Sequence, residues 1–210
     1  FLLGLLVAVI RGMEVKKTDN AFTYYIHKII NWILGAYVEI FRGTPMMVQS
    51  VIIFYGLKQY FDIDLSTMFA AILIVSINTG AYLSEVVRGG INSIDKGQFE
   101  ACKAIGMTHF QTMVHVILPQ TILTILPSIG NEFVINIKDT SVLNVISVTE
   151  LFFMSKSVAG STYQYFPTYL ITAVIYFVLT FTITRILLVL ERRFRDTDFI
   201  MESSTGANNV

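Results

Sequence analysis

Charge, cysteine and histidine are all scarce in this chain. Of its 210 residues only 14% are Asp, Glu, Lys or Arg, against about a quarter in an ordinary soluble domain. Basic and acidic residues balance at 15 each, so bulk charge points to no nucleic-acid partner. Cys102 is the sole cysteine, which excludes an intramolecular disulfide. His27, His109 and His115 form no metal-ligand pattern, and the last two are not spaced to share a helix face. No G-x-S-x-G elbow occurs, so a membrane-embedded hydrolase or transferase finds no catalytic set. No G-x-x-x-x-G-K-[ST] loop occurs either. The chain is not expected to be an enzyme, and energy for any transport must come from a partner or a gradient.

What is abundant is apolar. Hydrophobic residues make up 54%, with Phe 16 and Tyr 10. That balance favours an all-α integral membrane protein over a soluble core. FLLGLLVAVI at the start is too short to cross about 30 Å of hydrocarbon. It reads as the end of a first span, since neither a basic n-region nor a small-residue cleavage site accompanies it. Residues 11–21 are polar and read as a loop. Ile26, Ile29, Ile30, Ile33, Leu34 and Tyr37 recur at helical spacing over Phe22–Phe41, the pattern of an amphipathic interfacial helix. A second span is expected from Gly43-Thr44-Pro45 to about Gly56, with Thr44 as N-cap and Pro45 in the first turn. A third covers about Leu65 to Val87. A fourth covers about Thr121 to Ile137, broken at Pro127. Val142 to Phe153 is too short to cross and reads as a re-entrant or half-depth helix. The last span covers about Tyr169 to Leu190. The aromatics, Trp32 and Tyr37 among them, fit interface anchors.

Lys and Arg set the expected orientation. Arg11, Lys16, Lys17, Lys28 and Arg42 form one basic region. Arg88, Lys96 and Lys103 form a second, and Arg192, Arg193 and Arg195 a third. Lys58 and Lys156 are all that the opposite side offers. About five spans satisfy this alternation, with the N-terminus outside and the C-terminus cytoplasmic. Residues 1–199 read as one membrane domain without repeats, and 200–210 as a polar tail, disordered from Ser203.

Between the third and fourth spans lies QFEACKAIGMTHFQTMVHVILPQ, Gln98 to Gln120, which is polar. Asp95 with Gln98 and Thr108 with Gln111 have the form of capping boxes. They bracket a short helix, about Lys96 to Ile105, which Gly106 ends with a left-handed turn. Pro119 is expected to kink or interrupt the helix that follows. Ala101 and Ala104 would let a partner backbone approach. A short capped helix of this kind suits a helix-in-groove contact, although a surface helix packed on its own bundle has the same shape.

Here the residues resemble a known family. Glu100-Ala101-Cys102, then Gly106, then Ile117-Leu118-Pro119 resembles the EAA signature of bacterial ABC importer permeases. Cys102 stands where Ala is usual, and the spacer before the closing Leu-Pro is missing. Phe41-Arg42-Gly43-Thr44-Pro45 with Val48-Gln49, then Asn78-Thr79-Gly80-Ala81-Tyr82, Glu85 to Ile91, and Lys138-Asp139-Thr140-Ser141 are similar to runs of the polar amino acid subfamily, the histidine, glutamine and arginine permeases. The likeness covers about Phe1 to Phe199. It implies a type I importer fold with a cytoplasmic coupling helix at Glu100, Ala101, Cys102 and Gly106, seated in a groove of an ATPase. It further implies a bacterial inner-membrane location, two ATPase subunits that bind ATP and Mg, a second permease identical or related, and an extracytoplasmic amino-acid-binding protein. This chain would hold no cofactor itself. A gradient-driven carrier or channel is the competing class.

Polar groups at membrane depth are costly and therefore site candidates. Gln49, Ser76, Asn78, Glu85, Asn131, Glu132 and Lys138 are the candidates for the substrate path. Lys138 could meet an amino acid's carboxylate, and Glu132 or Glu85 its ammonium. Glu85 could equally pair with Arg88 at i,i+3, and Asn78 and Ser76 could join helices. The substrate's side chain is left open among glutamine, arginine, histidine, cystine and glutamate.

Overall fold

The computed structural model describes the backbone of residues 1–12 and 21–206, and the side chains of 1–12, Phe22 and 24–193. The expected 11–21 loop, with Lys16 and Lys17, lies almost wholly outside that range. Among the described residues all regular structure is helical: α1 (Leu2–Gly12), α2 (Ala21–Gly43), α3 (Met46–Phe61), α4 (Thr67–Ser93), α5 (Lys96–Ala104), α6 (His109–Thr112), α7 (Leu118–Asp139), α8 (Leu151–Thr162) and α9 (Tyr165–Gly206). A π-helical turn, Met113–Ile117, joins α6 to α7, and a 3₁₀ segment, Thr140–Ile146, follows α7.

Helix α4 is the hub, packed against α1, α2, α3 and α7. Small residues on two of its faces explain this. A Cβ added at Gly80 would come within 3.0 Å of the Tyr37 hydroxyl, and one added at Gly4 within 2.9 Å of the Gly80 carbonyl oxygen. One added at Gly90 would collide with Ile125 and lie 2.9 Å from Thr121. Backbones therefore meet closely, as membrane helices without a hydrophobic drive between them require. One buried cluster joins Ala70, Ala71 and Ile74 to Leu143, Ile146 and Val148. A second joins Ala8, Val87 and Ile125.

Among the described residues three helical stretches, Thr67–Ser93, His109–Ile146 and Tyr165–Arg193, are long and apolar enough to cross a membrane. The pair Tyr24–Gly43 and Met46–Phe61 meets that test together but bends by 113°.

Several local expectations are corrected. Pro45 is itself the N-cap of α3 (φ −65°, ψ 136°), because an extended proline cannot sit inside the turn it starts. Thr44 instead donates its hydroxyl back to the Ile40 carbonyl at 2.7 Å, closing α2. The Asp95 side chain caps α5 by accepting from Gly97 N at 2.6 Å, whereas Gln98 N bonds to the Asp95 backbone carbonyl at 3.0 Å, so the expected box does not form. Helix α3 runs to Phe61, beyond Gly56. Pro127 does not break α7; packing on α4 and α9 holds the helix together around the missing donor. The irregularity precedes Pro119, where Leu118 N reaches back five residues to Met113 O. Val142–Phe153 is not one helix. The 3₁₀ segment ends at Ser147, which is left-handed (φ 65°), and α8 starts afresh at Leu151. Helix α9 continues to Gly206 past the expected start of disorder at Ser203, and 207–210 lie outside the described residues.

Candidate functional site

The helix α5 is built as a discrete unit. Asp95 opens it. At its end Gly106 N bonds to Lys103 O at 3.1 Å and Met107 N to Cys102 O at 3.0 Å, the two bonds of a Schellman turn. Gly106 takes φ +81°, which a side chain would oppose. Thr108 and Gln111 then form a complete capping box, with Thr108 N donating to Gln111 Oε1 at 2.9 Å and Gln111 N to Thr108 Oγ1 at 3.2 Å. Glu100, Ala101, Ala104 and Gly106 are exposed, Ile105 is 77% exposed, and Cys102 is buried. The residue that departs from the EAA pattern thus faces its own chain, while Glu100, Ala101 and Gly106 are exposed and the later matching residue Ile117 is buried. A groove of about 600 Å³ with mixed polar and apolar walls flanks α5, lined among others by Asn92, Lys96, Phe99, Glu100, Lys103 and Met107.

The intramembrane candidates separate into distinct groups. Gln49 and Asn78 come together and are buried. Gln49 donates its amide to the carbonyl oxygens of Phe41 (3.0 Å) and Thr44 (2.9 Å), and Asn78 donates to Gln49 Oε1 (2.9 Å) and Phe41 O (3.2 Å). Tyr37 seals the same region with a 2.6 Å bond to Ile77 O. These groups satisfy carbonyls freed where α2 turns into α3, an obligation in a medium without water.

Glu85 sits elsewhere, inside an arginine cluster. Arg88 grips one carboxylate oxygen, Arg11 reaches the other at 2.8 Å, and Arg42 stands at 3.9 Å. The Arg88 pairing was readable from spacing; Arg11 and Arg42, distant in sequence, were not. Glu132 lies beside a link between α4 and α7: Thr79 donates to Asn136 Oδ1 at 3.0 Å, and Asn136 donates to Glu132 O at 3.0 Å. Asn136 escaped the sequence reading, although its offset of four from Glu132 marks the same helix face. Ser76 and Lys138 are exposed, and among the described residues neither Lys138 nor Glu132 is in an ion pair. Asn131 departs from the group and lines an otherwise largely apolar groove of about 520 Å³ between α7 and α9, with Leu126, Phe133, Leu187 and Glu191. Glu150 was also missed. It caps α8 through Phe152 N (2.7 Å) and Phe153 N (2.6 Å) and accepts from the Tyr176 hydroxyl at 3.0 Å.

The described residues thus form a bundle with membrane-length helices that carries a separately capped, exposed polar helix. The chain belongs to the family of binding-protein-dependent transport system inner membrane components, whose model matches residues 2–196. It is 32% identical over 197 residues to the arginine transport system permease protein ArtQ of Bacillus subtilis, covering 94% of this chain and 86% of that one. It is 35% identical to the putative glutamine transport system permease protein GlnP of Rickettsia typhi, covering 90% and 86%. A crystal structure of an amino acid ABC transporter with histidines superposes with a TM-score of 0.79 at 37% identity, over 91% of this chain and 84% of that one. The fold is that of a type I ABC importer permease.

Proposed function

We propose that this chain is the permease subunit of an ATP-driven importer of a polar amino acid, coupled to its ATPase through α5. The observation that carries this is α5 itself: an exposed helix, fixed at both ends by independent devices and matching the EAA pattern on its outward face. A gradient-driven carrier has no use for such an element. Glu100, Ala101 and Gly106 form the docking surface, and Cys102 anchors the helix to its own chain. Because α5 contacts α6 and the π-turn, a displacement of α5 passes into α7 and from there into α4.

The chain lies in a bacterial inner membrane with its N-terminus outside and its C-terminus and α5 in the cytoplasm, beside a second permease and below an amino-acid-binding protein. The partner ATPase holds ATP and Mg; this chain supplies the path and the handle. The path runs along α4 and α7, past Ser76, Thr79, Glu132, Asn136 and Lys138, with Glu132 receiving the ammonium and Lys138 the carboxylate. Gln49 and Asn78 shape its wall by fixing the elbow. Relatives named for arginine and for glutamine, and a solved amino acid ABC transporter with histidines, match at comparable identity, which supports an amino acid and leaves its side chain open.

The test is ATP hydrolysis by the permease reconstituted with its ATPase and binding protein, against a panel of amino acids. Stimulation by one or two is the expected result. No stimulation by any, with all components bound, overturns the reading.

A further inference from the structure

Three Arg-Gly pairs occur in the chain, Arg11-Gly12, Arg42-Gly43 and Arg88-Gly89. They lie on three different helices, and all three arginines converge on Glu85. One carboxylate cannot occupy them. Three guanidiniums against a single carboxylate leave two positive charges unmatched, and among the described residues no other ion pair involves these arginines. Arg42 is the least engaged. Its guanidinium stands 3.9 Å from Glu85 and 5.6 Å above the Tyr82 ring, and among the described residues it donates no side-chain hydrogen bond. Among the described residues the surroundings are open: a Cβ added at Gly12, Gly43 or Gly89 would meet none of their atoms within 4 Å. Depth completes the picture. Glu85 lies roughly 27 Å along α4 from Thr67 at 1.5 Å per residue, near the far edge of a hydrocarbon layer about 30 Å thick.

We infer that Arg11, Arg42 and Arg88 form a binding site for the phosphate of an anionic phospholipid headgroup at the membrane boundary, with Glu85 holding the three forks in register. Guanidinium forks match phosphate oxygens in pairs, and basic pockets between membrane helices bind such headgroups. The glycine after each arginine leaves room for the headgroup to come alongside. Free phosphate shares this chemistry, but a site at the membrane boundary favours the phosphate that carries acyl chains. The inference rests on the membrane fold and not on the identity of the transported amino acid.

The test titrates phosphatidylglycerol or phosphatidylcholine into delipidated, detergent-solubilised permease complex and measures retained lipid by mass spectrometry. Phosphatidylglycerol is expected to be retained about tenfold better. Arg42→Gln and Gly89→Glu are each expected to cut that retention about fivefold or more. The first removes a fork that makes no hydrogen bond, and the second sets a competing carboxylate in open space. Lys28→Gln, a basic residue outside the cluster, should change nothing. Equal retention of both lipids, unchanged retention in both cluster variants, or an equal loss in Lys28→Gln would overturn the site. Full displacement by millimolar inorganic phosphate would show a soluble-anion site instead. No nucleotide, binding protein or amino acid enters the assay, so its failure is separate from failure of the transport reading.

Discussion

Asn78 on α4 donates its side-chain amide to Gln49 Oε1 on α3 at 2.9 Å, and both amides also end on the Phe41 carbonyl oxygen. Polar residues at membrane depth invite assignment to a substrate path. This pair shows the competing use. The turn between α2 and α3 frees backbone carbonyls, and two amide side chains from neighbouring helices take them up.

Asn78→Leu is therefore expected to strand Gln49 Oε1 and to cost about 1–3 kcal/mol, the penalty for a buried group left without its partner. The thermal midpoint of the solubilised permease should fall, and uptake should fall in step with the amount of folded protein. A raised KM at unchanged thermal stability would show that Asn78 meets the substrate instead.

Gly106→Ala tests the handle. Its φ of +81° costs an L-residue about 1–2 kcal/mol, and the bonds to Lys103 O and Cys102 O depend on it. The permease should still insert, because α5 packs on little of the bundle. Co-purification of the ATPase and coupled uptake should drop. Normal ATPase binding and uptake in both Gly106→Ala and Glu100→Ala would count against α5 as the coupling element.

Glu132→Gln addresses the path. If Glu132 meets the substrate's ammonium, loss of its charge should raise KM for uptake about tenfold, equivalent to about 1.4 kcal/mol, with ATPase binding intact. Unchanged KM would remove Glu132 from the path and leave Ser76, Thr79, Asn136 and Lys138 as its remaining polar lining.

Local signals were the legible ones. Gly106 and Thr108-x-x-Gln111 lie within a few residues of the bonds they make, so the end of α5 and the start of α6 could be read directly. The spans around α4 and α9 followed from uninterrupted apolar length. Long-range pairing was not legible. Glu85 announces Arg88 by spacing, but Arg11 is 74 residues away and only the packing of α1 on α4 brings it near. Asn136 was passed over beside the charged Glu132, though it is the residue that contacts Thr79. Proline misled in both directions. Pro127 is carried by a helix packed on two sides, while Pro45 took the capping position expected of Thr44.

Glu150→Ala probes a carboxylate that no motif flagged. Glu150 accepts from Phe152 N and Phe153 N at the start of α8 and from the Tyr176 hydroxyl of α9. Loss of a helix N-cap costs about 0.5–2 kcal/mol, and the bond to Tyr176 adds to that because it joins two helices. Ser155 and Thr172 join the same pair at 2.6 Å, so α8 should stay attached to α9 at its middle and loosen at its start. The expected outcome is faster hydrogen exchange at Phe152, Phe153 and the preceding turn, with Ser155 and beyond little changed. Glu150→Gln separates charge from geometry. Its amide oxygen can still accept one backbone bond, so it should recover part of the protection, whereas Tyr176→Phe should reproduce only the interhelical share of the loss. If Tyr176→Phe exposed α8 as fully as Glu150→Ala does, the anchor to α9 rather than the cap would set the start of α8.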